Sequence, residues 1–332
     1  MEYRNLGNSG LKVPVLSLGT GTFGGTTAFF QKWGETGEKE ATRLIDISLE
    51  RGINFFDTAN VYSLGAAETI LGKAISGRRD KVIISTKATF SMGDGPNDKG
   101  SSRFHIMKAL DDSLKRLGTD YVDLFFMHGF DPGTPIEETL STLDILVKSG
   151  KVRHLGASNF AAWQLMKSLS VAEKNYFEKY IIYQGYYSVI GRDYEQELMP
   201  LIEDQKMGIM VWSPLGWGRL TGKIRKDGVV GEGRVKSGGL DGAPPVDDDY
   251  LFSVLEVLGE IAEETGKSIA QVSINWLLQN KTVSNIIIGA RNEQQLIQNI
   301  EAVGWTLSHD QVCRINEASK LPVIYPHWVG QR

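Results

Sequence analysis

Cysteine is almost absent from this 332-residue chain, Cys313 being the single one. One thiol excludes an intramolecular disulfide and any zinc site built on cysteines, and it suits a reducing compartment. A basic excess is missing too: 36 Lys and Arg face 40 Asp and Glu, a formal net charge of −4. Nucleic acids and anionic membranes are bound by surfaces that neutralise phosphate, so neither is an expected partner. No apolar run approaches the roughly 18–20 residues of a membrane span. The opening Met1-Glu2-Tyr3-Arg4-Asn5 has no apolar core of a secretory signal. The expectation is a soluble, cytoplasmic protein with enough chain for a large core, in one domain or two.

What the chain does have is a repeated alternation. Short, nearly continuous apolar runs occur at 15–20, 54–59, 82–88, 122–129, 152–158, 181–187, 208–215 and 285–290. Each is bounded by Gly, Ser, Asn or Asp, as expected of parallel strands buried on both faces. Between them lie stretches of helical period. In 38–52, Ala41, Leu44, Ile45, Ser48 and Leu49 share one face; 101–118 starts on serines and stops on Gly118; 136–150 starts after Pro135 and stops on Gly150. Eight strand–helix units predict a single (β/α)₈ TIM barrel, with a doubly wound open sheet as the alternative. Three segments fall outside the repeat. Residues 3–14 read as an N-terminal β-hairpin, 308–320 as an extra C-terminal helix, and 216–248, rich in Gly and charge, as a long mobile loop after strand seven.

Gly19-x-Gly21-x-x-Gly24 matches the dinucleotide fingerprint of an open sheet, but residues 25–34 show no helical start. That fingerprint needs a helix opening on its third glycine and an acid about 20 residues on, and Asp57 comes too late. The stronger signal lies at strand C-termini, where barrel enzymes carry their chemistry. Strand two ends in Asp57, with Tyr62 shortly after; strand three ends in Lys87 and strand four in His128. Singly, each has an ordinary reading: a helix cap, an interface tyrosine, a solvated lysine, a core histidine. Together, on consecutive barrel strands, an acid, a phenol, an ammonium and an imidazole converge on one spot. Asp57 and Lys87 can then pair, which offsets the cost of burying either. The other histidines, His105, His154, His309 and His327, show no metal-ligand spacing, so no metal is expected.

These residues resemble the aldo-keto reductase superfamily, over a span from Tyr3-Arg4-Asn5-Leu6-Gly7 to about residue 305. The ordered pieces are Asp57-Thr58-Ala59 with Tyr62, Ser85-Thr86-Lys87, Met127-His128, Leu155-Gly156-Ala157-Ser158-Asn159-Phe160, Trp212-Ser213-Pro214-Leu215, Leu220-Thr221-Gly222-Lys223 and Gly289-Ala290-Arg291. Their shape is nearer the bacterial, aryl-alcohol-dehydrogenase-like and potassium-channel-β-like branch than the aldose reductases. The resemblance implies an oxidoreductase that interconverts aldehydes or ketones and alcohols with a nicotinamide dinucleotide. Tyr62 would be the proton donor, tuned downward from a phenol's pKa of about 10 by Lys87, with Asp57 fixing the lysine and His128 orienting the carbonyl. An alternative implied by the same branch is a cofactor-holding regulatory or redox-sensing subunit.

The resemblance also implies a cofactor site. Ser158, Asn159 and Gln184 would read the carboxamide, with Asp57 alongside, and Trp212 would stack on the nicotinamide. Thr20 and Gly21 would border the cofactor; relatives often carry a bulky residue at the position of Gly21, and the glycine opens space over the nicotinamide or substrate. Ser213, Pro214, Leu215, Gly216 and Gly218 would pass close to the pyrophosphate, with Arg219 and Lys223 near phosphates. Gly289 and Arg291 open the last helix, where Arg291 would take a 2′-phosphate, favouring NADP(H) over NAD(H). Gln295 and Asn299, at i and i+4, would hold the adenine. Phe23, Phe29, Trp33, Phe130 and Trp217 are the expected substrate pocket, because aromatics in glycine-rich loops answer to no evident core.

Overall fold

The structure, a computed structural model, describes residues 1–225, 228–229, 240 and 242–329. Eight parallel strands close into a barrel: β1 (Leu16–Gly19), β2 (Phe55–Asp57), β3 (Ile83–Ala88), β4 (Val122–Met127), β5 (Val152–Ser158), β6 (Tyr180–Tyr186), β7 (Gly208–Trp212) and β8 (Val283–Ile288). They pair in chain order, and β8 closes on β1 through Ile286–Ile288 against Leu16–Leu18. The expected TIM barrel is therefore the fold, and the open-sheet alternative falls. Around it run α1 (Glu38–Glu50), α2 (Ala66–Ala74), α3 (Arg103–Leu117), α4 (Ile136–Lys148), α5 (Ala162–Asn175), α6 (Leu198–Asp204), α7 (Asp248–Thr265), α8 (Ile269–Leu278) and α9 (Glu293–Ile300). A further helix, α10 (His309–Ala318), follows at the C-terminal side, and an antiparallel hairpin pairs Tyr3–Asn5 with Lys12–Pro14. No helix among the described residues is long and apolar enough to cross a membrane.

Strand alternation explains how the fold places its chemistry. One small core gathers Phe55, Ile83, Leu124, Phe126, Ile182, Met210 and Ile287 with Leu6 and Val13 of the hairpin. The intervening residues Phe56, Ile84, Phe125 and Met127 belong to the large core under the helices. The side-chain period of a strand is two, so the first set points into the barrel lumen. Continuing that set toward the strand C-termini gives Asp57 after Phe55, Ser85 and Lys87 after Ile83, His128 after Phe126, Gln184 after Ile182 and Trp212 after Met210. The hydrophobic pattern that seals the lower barrel thus gathers six side chains with polar atoms into a layer at the strand C-termini. Gly156 belongs to this layer: a Cβ there would meet the Phe126 ring at 2.2 Å, so the large ring requires the missing side chain.

Helix α2 is keyed to the same layer. Fully buried Glu68 accepts from Thr86 Oγ1 at 2.5 Å and from Arg116 Nε at 2.7 Å, which pins the helix behind Tyr62 to the strand bearing Lys87.

One sequence expectation changes. After Gly24 a single helical turn does form, Ala28–Gln31, with Thr27 accepting from Phe30 N at 3.3 Å. It opens at Ala28 and not on the third glycine. The 216–248 loop lies in part outside the described residues. Its described portion starts as a tight turn at Gly216–Thr221, followed by pairing of Ile224–Arg225 with Gly228–Val229.

Candidate active site

At the C-terminal mouth of the barrel lies a cavity of about 630 Å³. Below its floor, Lys87 Nζ donates to Asp57 Oδ2 and to the Thr58 carbonyl, each at 2.7 Å, and stands 3.5 Å from the Tyr62 hydroxyl. Lys87 is fully buried and Asp57 nearly so. Asp57 Oδ1 also accepts from Ser85 Oγ at 2.6 Å and from Gln184 Nε2 at 3.0 Å. Three donors therefore hold the carboxylate, and two of the three ammonium N–H groups are used, leaving the third toward the phenol.

Electrostatics follow from this geometry. Burial alone would lower the Lys87 pKa, but the charge and hydrogen bond of Asp57, joined by Tyr62, outweigh it and the lysine is held above its ordinary value. Burial pushes the Tyr62 phenol up, and Lys87 works against that without overcoming it. This corrects the expected downward tuning: desolvation by the aromatic cavity wall exceeds the pull of the cation, and Tyr62 stands as a protonated acid at neutral pH. His128 is driven well below its ordinary value, first by burial and then by the Lys87 charge. Its imidazole is neutral, and Nδ1 is buried with no protein partner among the described residues. The ring is packed by Phe90 at 4.5 Å and by Tyr62 at 5.8 Å, while Asn159 Nδ2 grips the His128 carbonyl at 2.9 Å.

One wall of the cavity suits a nucleotide. Gly21, Ser158, Asn159, Gln184, Trp212, Ser213, Pro214, Leu215, Gly218, Lys223, Gly289, Arg291, Gln295 and Asn299 all line it. Ser158 Oγ and Trp212 Nε1 are buried there without partners among the described residues, as expected where a ligand's polar groups complete the wall. Trp212, Tyr186 and Trp217 pack together with centroids 5.1–5.4 Å apart, fixing the indole plane. The following turn is tightly wound, with Ser213, Gly216, Trp217 and Gly218 all at positive φ. Gly216 is required twice over: its φ is +54°, and a Cβ would meet Ile190 Cδ1 at 2.7 Å.

Not every expected residue reaches the cavity. Thr20 is buried beside it, its N–H donating to the Asp57 carbonyl, and Gly216 lies under the turn. Arg219 points away, donating Nη2 to the Pro244 carbonyl at 3.2 Å. Gln295 and Asn299 line the wall but are already engaged: Gln295 Oε1 accepts from Arg291 N, and Asn299 Nδ2 donates to the Gly289 carbonyl. They hold the turn before α9 at least as directly as they offer themselves to an adenine.

The substrate side needs the larger correction. Phe29, Trp33 and Trp217 line the cavity as expected, but Phe23 and Phe130 do not. Phe23 is fully buried in the large core, because its backbone is bridged to Thr36 and the chain there turns inward. Phe130 packs edge-on against Phe160 and Trp163 at 5.3 and 6.0 Å. Their places are taken by Phe30, Val61 and Phe90. Phe90 lies just beyond Lys87, in the loop leaving β3. Among the described residues no group of three or more His, Cys, Asp or Glu is placed to hold a metal.

A closed parallel barrel thus carries a buried Asp–Lys pair, a phenol and a neutral imidazole together at its C-terminal mouth. Comparison with known proteins places it: the aldo/keto reductase family profile matches residues 16–320, and the chain belongs to that family. It is 38% identical over 328 residues to "Uncharacterized oxidoreductase YrpG" of Bacillus subtilis (strain 168), covering 96% of this chain and 95% of that protein. It is 39% identical over 310 residues to "Probable voltage-gated potassium channel subunit beta" of Oryza sativa subsp. japonica, covering 91% of each. To "L-glyceraldehyde 3-phosphate reductase" of Escherichia coli (strain K12) it is 33% identical over 331 residues, 96% of this chain and 92% of that one.

Proposed function

We propose that this protein reduces aldehydes or ketones to alcohols, reversibly, with NADP(H), and that Tyr62 gives the proton to the carbonyl oxygen. The observation that carries the reading is the buried Asp57–Lys87 pair, whose ammonium stands 3.5 Å from a protonated phenol on the cavity wall. Carbonyl reduction builds negative charge on oxygen, and a nearby acid backed by a fixed cation stabilises it as it develops. Neutral His128, whose ring lines the cavity, would offer a hydrogen bond to the same oxygen and does not compete for the proton. A bound nicotinamide dinucleotide supplies the hydride. Ser158, Asn159, Gln184 and Trp212 would hold its nicotinamide end, and Lys223 and Arg291 its phosphates. The aromatic lining of Phe29, Phe30, Trp33 and Phe90 excludes water and favours an apolar carbonyl substituent.

The test is consumption of NADPH, and separately NADH, against a panel of aromatic and aliphatic aldehydes and ketones. Turnover with a preference for NADPH is expected, and failure to turn over any carbonyl would overturn the reading. A second reading, a cofactor-holding regulatory subunit, draws on the likeness to proteins named as potassium-channel β subunits. It predicts tight NADP(H) retention without appreciable turnover in the same assay.

A further inference from the structure

Arg291 belongs by position to the nucleotide wall, yet its guanidinium is attached to the opposite side of the cavity. Nε donates to the Trp33 carbonyl at 2.8 Å and Nη2 to the Lys32 carbonyl at 2.6 Å. The arginine is itself held, since its N–H donates to Gln295 Oε1 at 2.9 Å at the mouth of α9. A rigid fork anchored at both ends therefore spans from α9 to the end of the aromatic loop 28–33.

That loop is the cover of the substrate side. Trp33 packs against Phe29 at 5.4 Å, Phe30 at 5.7 Å and Tyr62 at 6.3 Å, and Phe30 packs against Tyr62 at 6.2 Å. The line from Arg291 through the Trp33 backbone thus ends on the proton donor. Both carbonyl partners are neutral, and among the described residues no carboxylate pairs with Arg291. The cation keeps its charge and further N–H groups, and it lines the cavity.

We propose that Arg291 is a positioning and specificity-determining residue. It clamps the aromatic cover through the Lys32 and Trp33 carbonyls while its remaining donors take an anionic group of the dinucleotide, so that a 2′-phosphate and the carbonyl substrate strengthen each other's binding. The clamp rests on the geometry alone; the anion half rests on the cofactor reading above. A guanidinium has five N–H donors and the two carbonyls use two, so the two roles are compatible. A phosphate fixing the guanidinium stiffens the cover, and a substrate pressed under the cover returns the same coupling to the phosphate, because linkage is reciprocal.

The test is amide hydrogen exchange in the wild type, Arg291→Lys and Arg291→Ala, alone and with saturating 2′,5′-ADP or 5′-AMP. The amides of Gln31, Trp33 and Gly34 bond within the loop and report its opening. Both variants should exchange them about tenfold faster without nucleotide, lysine being unable to span two carbonyls, with circular dichroism confirming the fold. In the wild type 2′,5′-ADP should slow them several-fold, and 5′-AMP should not. In turnover at saturating NADPH, Arg291→Lys should raise the carbonyl KM more than it lowers kcat. Unchanged loop exchange in folded Arg291→Ala overturns the clamp, whatever the enzyme's activity. Binding of 2′,5′-ADP without slowing overturns the coupling. Fast exchange in the variants together with no binding of 2′,5′-ADP upholds the clamp and contradicts the NADP(H) reading instead.

Discussion

Tyr62→Phe should lower kcat for carbonyl reduction by about 10²–10⁴-fold, the usual worth of a positioned general acid. The substitution removes one oxygen and leaves the ring, so the contacts with Phe30, Trp33 and His128 persist and cofactor binding should hardly change. A rate near the wild-type value would assign the proton to another group. The pH profile carries the same assignment. Tyr62 is held above its ordinary 10.0 by burial. Reduction requires the protonated phenol, so kcat/KM for reduction should stay level through neutral pH and fall only above pH 10. Alcohol oxidation requires the phenolate and should rise as pH increases over the same alkaline range. Tyr62→Phe should abolish both alkaline limbs.

Lys87→Met is the second large effect, and it acts twice. It takes away the cation that opposes the burial of a phenolate at Tyr62, so the phenol becomes a weaker acid and the alkaline limb moves to still higher pH. Developing charge on the substrate oxygen also loses its nearest support. A kcat loss of about 10²–10³-fold is expected, comparable to removing one donor from an oxyanion site. Stability should fall as well, because Asp57 would remain buried with Ser85 and Gln184 but no counter-charge. Breaking a buried pair in this way costs about 3–5 kcal/mol, measurable by urea denaturation. Wild-type stability combined with the kinetic loss would mean that Asp57 takes up a proton or that water reaches it.

The barrel was legible because parallel strands buried on both faces leave continuous apolar runs at regular spacing, and the closed order β8–β1 needed no further information. The polar layer was legible for the same reason: Asp57, Lys87 and His128 each break an apolar run at its C-terminal end, where burial of charge demands a purpose. Loop side chains were not. Phe23 and Phe30 sit in one glycine-rich segment with nothing local to separate them; the bridge from Phe23 to Thr36 turns one into the core, and the turn at Ala28 presents the other to the cavity. Phe90 escaped because the direction of the chain after β3 is set by the fold. The partners of Arg291 lie more than 250 residues away in sequence and are backbone carbonyls, which carry no residue signature. The direction of the Tyr62 shift depended on weighing burial against a neighbouring charge, and burial is a property of the closed cavity.

The central claim is that this cavity joins a nicotinamide hydride to a carbonyl carbon while Tyr62 supplies the proton. It is tested most directly by reacting a carbonyl substrate with NADPH deuterated at the transferable C4 position and analysing the alcohol by NMR. The account predicts one deuterium on the former carbonyl carbon, in a single stereochemical sense, with the hydroxyl hydrogen coming from solvent. Alcohol formed without deuterium on that carbon would contradict it.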